Sequence, residues 1–215
     1  MKIIVISIGF LFLMLSGLVE VSTSSEEKKE AKANILPIEV YVVDQETLPK
    51  ATGVKGSTYT AQLYIVDNQK QQVFGPYQGS SFPNSKQSKE DPEKPNTLKA
   101  GAHIFNNKYG HKGGTKQGLN LINVDEQRIT DAFSWFKQPS KIRYANVHTG
   151  CSDNGNFNSR GSQGCITIHP KQVDAFFKHF DFSKGTKGTS EGIVYIYRAN
   201  EAKRLSFINQ IKTIY

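Results

Sequence analysis

The sequence predicts a mainly β protein with flanking helices, an α+β arrangement, and three observations carry that reading. Runs rich in β-branched and aromatic residues recur: P-I-E-V-Y-V-V from Pro37, Y-T-A-Q-L-Y-I-V from Tyr59 and G-I-V-Y-I-Y-R from Gly192. Polar stretches rich in Gly, Pro, Ser and Asn separate the runs. Apolar residues at helical spacing are confined to short segments between them or near the C-terminus. At 215 residues the chain has room for one domain of ordinary size with a real core.

The first 23 residues are expected to be a signal peptide or membrane anchor. Ile3 to Val19 form an apolar run behind Lys2, and the small polar residues Ser22 to Ser25 follow. Cleavage between Val21 and Ser24 is the favoured outcome, so the protein is expected to be exported to the periplasm, cell envelope or medium. Residues 24–36, rich in Ser, Glu, Lys and Ala, offer no apolar face and read as a charged tether. The domain proper is expected over 37–215. Its formal charge of +8 suits an anionic partner at the cell surface. The lysines are spread along the chain with no nucleic-acid motif, which argues against a nucleic-acid partner.

Pro37 to Val43 is expected to be an edge strand or an N-terminal addition, and the run from Tyr59 a second strand. Gln78 to Asn96, with three prolines and almost no apolar residues, reads as a long loop. Y-G-H-K-G-G-T-K-Q-G from Tyr109 fails the spacing of a phosphate loop and reads as an irregular connection beside the site, with His111 exposed to solvent. From Val124 to Lys137, the spacing of Ile129, Ala132, Phe133 and Phe136 predicts an amphipathic helix, with Trp135 packed against it. Lys141 to His148 alternates as a strand that ends at His148. A glycine-rich loop follows, then Cys165 opens the strand C-I-T-I-H, which Pro170 stops. Val173, Phe176, Phe177 and Phe180 predict a helix lying against that strand's sheet; Gly192 to Arg198 reads as the last strand and Glu201 to Tyr215 as a terminal helix. His103 and His179 read as structural.

Chemistry concentrates between Ala145 and Pro170, which holds both cysteines and two of the five histidines. A thiol is mostly protonated at neutral pH and needs an imidazole to take its proton, so a histidine closing one strand and a cysteine opening the next form a candidate nucleophile-base pair. Cys165 is the candidate nucleophile and His148 the base, with His169 in reserve. Gly164 lets a substrate carbonyl approach backbone N–H groups that stabilise an oxyanion.

The motif, H-T-G at His148 to Gly150 and S-Q-G-C at Ser162 to Cys165, resembles the signature of the L,D-transpeptidase (YkuD-type) family. The resemblance extends over about Tyr59 to Arg198. It takes in the hairpin-like T-A-Q-L-Y-I-V-D-N-Q-K-Q-Q-V-F-G-P-Y-Q-G from Thr60 and, without the family's proline, N-T-L-K-A-G-A-H-I-F from Asn96. It implies a β-sandwich or barrel catalytic domain and an acyl-enzyme on Cys165, formed with a peptidoglycan stem peptide and resolved by an amine or by water. It also implies that Gly150, Ser162, Gln163, Thr167 and Arg160 contact substrate or shape its pocket, and that neither cofactor nor metal is needed. Two positions depart from the family: Gln163 replaces the usual histidine before Gly-Cys, and Thr167 replaces the usual arginine or asparagine two residues after the cysteine. Two other classes compete. A Cys151–Cys165 disulfide would staple a non-catalytic wall-binding module, and His148, Cys151, Cys165 and His169, as H-x2-C-x13-C-x3-H, would hold structural zinc.

Overall fold

The architecture follows from strand alternation and from which alternate face finds cover. The computed structural model describes residues 37–45, 59–83, 97–133, 139–151, 162 and 164–198. Residues 1–36, Trp135, Arg160, Gln163 and the terminal stretch from Glu201 lie outside the described residues. So do the expectations of a leader, a tether and a C-terminal helix. Among the described residues no helix is long and apolar enough to cross a membrane.

The described residues form eleven strands: β1 (Ile38–Asp44), β2 (Ala61–Asp67), β3 (Gln72–Ser80), β4 (Thr97–Leu98), β5 (Gly101–Asn106), β6 (Leu119–Ile122), β7 (Ile129–Phe133), β8 (Pro139–Arg143), β9 (Asn146–Thr149), β10 (Ile166–Ile168) and β11 (Glu191–Tyr197). Eight of them close a barrel in the order β1-β11-β5-β6-β9-β10-β3-β2, and β4-β7-β8 form a separate three-stranded sheet. The fold is thus β-rich. Of the expected flanking helices, the described residues hold one short α-helix, α1 (Val173–Phe177), entered through a 3-10 turn at Pro170–Gln172.

Inward positions of the barrel are apolar. Val40, Val42, Leu63, Leu119, Leu121, Val147, Ile166, Ile168, Val194 and Ile196 belong to one buried cluster. Phe176, Phe177 and Phe180 pack into it, with Phe176 edge-on to Tyr77 of β3 and Phe180 edge-on to Phe105 of β5. The helix predicted after Pro170 therefore exists and packs on the barrel, but it is only five residues long. Burying a phenylalanine side chain contributes about 1.5–3 kcal/mol, enough to hold a helix too short to persist alone.

The β2–β3 hairpin is turned by Asp67, whose Oδ1 accepts the N–H groups of Gln69 and Lys70, with Gln71 left-handed at φ 53°. β1 is no edge strand: it runs parallel to β11 and antiparallel to β2, so closure of the barrel leaves it partnered on both sides. The loop expected from Gln78 begins later, because Gln78 to Ser80 complete β3 and Ser81 and Phe82 are buried. Fully buried Asp44 holds this corner, accepting from the hydroxyls of Ser81 (2.6 Å) and Thr60 (2.8 Å) with Arg198 3.7 Å away.

Two expectations around the site are corrected. The helix expected over Val124–Lys137 is, in its described part, a turn followed by β7. There, buried Thr130 and Ala132 flank exposed Asp131, the period of two that a strand shows. Pairing with β4 and β8 outweighs a helical spacing defined by only four residues. The single strand expected over Lys141–His148 is two strands in two sheets. Tyr144, left-handed at φ 59°, turns the chain out of β8, and β9 then enters the barrel.

Candidate active site

Three neighbouring barrel strands build the site. Asn120 of β6 stands opposite Asn146 of β9, and β9 runs parallel to β10 with Val147 against Ile166 and His148 against Thr167. One step before Ile166, Cys165 falls against Asn146, whose backbone N–H points at its Sγ from 3.4 Å. Because Val147, Ile166 and Ile168 face the core, their alternates Asn146, His148, Cys165 and Thr167 share the outer face. From strand spacing and rise, the Cα atoms of Cys165 and His148 are about 8 Å apart on that face, within reach of the two side chains.

His148 is only 3% exposed. Its Nδ1 lies 2.6 Å from the carbonyl of Thr149, an acceptor, so Nδ1 carries the proton and Nε2 is left as the basic nitrogen. Burial, helped by the charges of His111, Lys112 and Lys116, lowers its pKa to about 3, and the imidazole is neutral at physiological pH.

His111, expected in solvent, instead stacks on His148 with ring centroids 3.9 Å apart and planes 8° from parallel. The position facing His148 across β9 is Gly118, and a Cβ there would lie 3.0 Å from the Cβ of His111. The missing side chain makes room for the second imidazole. Its Nδ1 accepts from the Asn146 amide at 3.3 Å, and burial plus nearby lysines lower its pKa to about 4.

Burial pushes the Cys165 thiol pKa up; the Asn146 N–H, the Ser162 hydroxyl, the Asn146 side chain and the Arg128 charge oppose that only in part. At rest this face therefore carries a thiol and a neutral imidazole. Buried Ser162 shapes the approach to Cys165: its hydroxyl accepts from the Gly164 N–H and donates to the Cys165 carbonyl, each at 3.0 Å. Gly164 has φ +148°, which favours glycine, and its N–H is already engaged by Ser162 rather than open to an oxyanion.

Sequence reasoning missed the buried polar row behind the thiol. Asn120, fully buried, donates to the Gly110 carbonyl (2.8 Å) and to Asn146 Oδ1 (2.7 Å), and it accepts the Tyr109 N–H (3.0 Å). Asn146 Oδ1 also receives Arg128 Nη2 at 3.1 Å. The Arg128 guanidinium lies between the rings of Tyr109 and Tyr144, 5.2 and 5.0 Å from their centroids. The only sequence signal available was asparagine at two positions facing into otherwise apolar strands.

The other expected site residues lie close by. A side chain at Gly150 would collide with Tyr59, its Cβ falling 2.1 Å from the phenol oxygen, so glycine there lets Tyr59 pack over the end of β9. Thr167 is fully buried and its hydroxyl has no hydrogen-bond partner. His169 packs edge-on to Tyr59, and its Nδ1 caps the 3-10 turn by accepting the Lys171 N–H at 3.2 Å. His103 bonds Thr130 and the Lys99 carbonyl through its two nitrogens, and His179 bonds Tyr77. Cys151 and Cys165 are both thiols, not joined to each other. Among the described residues no three His, Cys, Asp or Glu side chains gather to hold a metal, and His148, Cys151, Cys165 and His169 do not converge. An open cleft of about 280 Å³ starts at Thr149, next to His148, and runs past Lys116 and Thr186 to Asp174 and Phe177; it includes neither His148 nor Cys165.

No protein-family model, curated protein or solved structure matches this chain.

Proposed function

We propose that the protein is an exported cysteine acyltransferase acting on peptidoglycan stem peptides, an L,D-transpeptidase or L,D-carboxypeptidase of the YkuD type. The observation that carries this reading is the shared outer face of adjacent parallel strands, where Cys165 stands beside a buried neutral His148 whose Nε2 is the basic nitrogen. A β-rich barrel and a charge of +8, suited to an anionic polymer, support it.

In this mechanism Nε2 of His148 takes the thiol proton as Sγ attacks a peptide carbonyl. Because the resting pair is neutral, transfer accompanies attack instead of preceding it. With the Gly164 N–H held by Ser162, the Cys165 N–H would receive the oxyanion. Collapse of the tetrahedral intermediate breaks the C–N bond, and His148 returns its proton to the leaving amine. An acceptor amine or water then attacks the thioester and regenerates the thiol.

The test is incubation of the reduced protein and its Cys165→Ala variant with purified peptidoglycan, followed by separation of muropeptides by mass. New crosslinks or released terminal amino acid that require Cys165 are expected. Identical profiles from the two proteins would refute the enzyme and leave a wall-binding module to be tested by sedimentation with wall.

A further inference from the structure

The pairing of Cys165 with His148 leaves the positive charge around it unexplained. Lys112 and Lys116 act on both imidazoles, and Arg128 acts on His111 and on the thiol. Among the described residues no carboxylate pairs with any of the three, although elsewhere Lys70, Lys108 and Lys141 each have an acidic partner. Arg128 is the most constrained of them. Its Cζ lies over the rings of both Tyr109 and Tyr144, 5.2 and 5.0 Å from their centroids. One edge nitrogen, Nη2, is held by Asn146, the residue whose backbone N–H meets Cys165. Nε is buried and has no partner. Both clamping tyrosines are well exposed, Tyr109 at 42% and Tyr144 at 62%, so the clamp opens to solvent. Arg128 itself is anchored, since its carbonyl accepts the Tyr144 N–H at 2.9 Å.

We propose that Arg128, clamped between Tyr109 and Tyr144, is a specificity-determining residue that takes a substrate carboxylate next to the bond Cys165 attacks. The preferred substrate is then a peptide with a free carboxylate there, and its carboxamide is discriminated against. An arginine fork reads a planar carboxylate through paired charge-assisted hydrogen bonds, which a neutral amide cannot match. The proposal rests on Cys165 being the nucleophile of the proposed function. A simpler role, in which Arg128 only steadies the thiolate, makes a different prediction.

Alkylation of Cys165 separates the two without requiring turnover. Iodoacetate carries a carboxylate beside its reactive carbon, whereas iodoacetamide is its neutral counterpart. A carboxylate site raises the iodoacetate to iodoacetamide rate ratio; thiolate stabilisation raises both rates alike. Rates at Cys165 are read by peptide mass spectrometry in reduced wild type, Arg128→Gln, Arg128→Lys and Lys112→Ala/Lys116→Ala. The ratio is expected to fall at least about tenfold in Arg128→Gln, in line with a charge-assisted bond, to recover only partly in Arg128→Lys, and to change less than about threefold in the double lysine variant. An unchanged ratio in Arg128→Gln, or equal slowing by both reagents, overturns the proposal. Should that variant not fold, wild type suffices: N-acetyl-D-alanine is expected to protect Cys165 from iodoacetamide and its primary amide is not, and equal protection by the two overturns the idea. Tetrapeptides with free and amidated C-termini complete the test. An Arg128-dependent ratio with neither peptide cleaved upholds the anion site and removes the wall-peptide reading; cleavage of both at equal rates does the reverse.

Discussion

Two walls of the barrel obey the same alternation and use its outer face in opposite ways. On β1, β11 and β2 the inward residues Val40, Val42, Leu63, Val194 and Ile196 are buried in the core, while Tyr41, Tyr195 and Tyr197 stack on the half-exposed outer face. On β6, β9 and β10 the inward residues are again apolar, but the outer face carries Asn120, Asn146, His148, Cys165 and Thr167 under a cover that includes His111 and Arg128. A covered polar face costs desolvation that an open one does not. The second wall meets that cost with hydrogen bonds except at Thr167 Oγ1 and Arg128 Nε, beside the thiol. The candidate site sits where burial is polar and incompletely satisfied.

The largest expected effect contrasts two buried histidines. If His148 is the general base of the proposed reaction, His148→Ala should lower peptidoglycan turnover at least about 100-fold, the scale of removing such a base. His103→Ala removes bonds to Thr130 and the Lys99 carbonyl, so denaturant melts should show a loss of about 1–3 kcal/mol with turnover per folded molecule unchanged. Turnover lost equally in both would erase the distinction between the walls.

Two glycines sharpen it. A Cβ on Gly192 of β11 would lie 1.9 Å from the Ile38 carbonyl oxygen, a backbone atom inside a ladder. Gly192→Ala should therefore cost about 3 kcal/mol or more by thermal melting. At Gly118 the obstacle is the Cβ of His111 at 3.0 Å, in a connecting loop. Gly118→Ala should cost under about 1 kcal/mol in stability yet slow turnover several-fold, as His111 is pushed from its stack.

Acid should act through the polar wall. His148 and His111 are held near about 3 and about 4, below the ordinary histidine value of 6.5. Below pH 6.5 the unfolded chain binds protons that the folded one refuses, so their contribution is complete above that pH and drains away as the pH falls towards 3. Melting temperature should drop steeply between pH 6.5 and 4, and His111→Gln should flatten the slope by about one proton. An unaltered slope in that variant counts against the stacked pair.

The smallest effect is at Thr167. Replacing an unpartnered buried hydroxyl with a methyl of the same shape removes a desolvation cost, so Thr167→Val should leave stability unchanged or raise it by up to about 1 kcal/mol. A large fall in turnover would show that this hydroxyl bonds a reacting group.

What the sequence determined by itself is what local period and punctuation encode. The β-branched runs of β1, β2 and β11 alternate in the chain as they do in the barrel, and Gly, Pro and Asp mark their ends. His148 and Cys165 could be placed near strand ends because a glycine-rich loop is the only long interruption between them. Tertiary structure decided the rest, for one reason: contact partners far apart in the chain leave no local period. Ile129 to Phe133 had apolar residues spaced for a helix, and only β4 and β8 made them a strand. His111 had no apolar neighbours to predict a partner; it is half-buried against His148 because Gly118 leaves a vacancy there. Tyr109, Arg128 and Tyr144 meet because Asn120 pins one loop, the β7–β8 pairing pins the other two residues, and Asn146 joins both to Cys165.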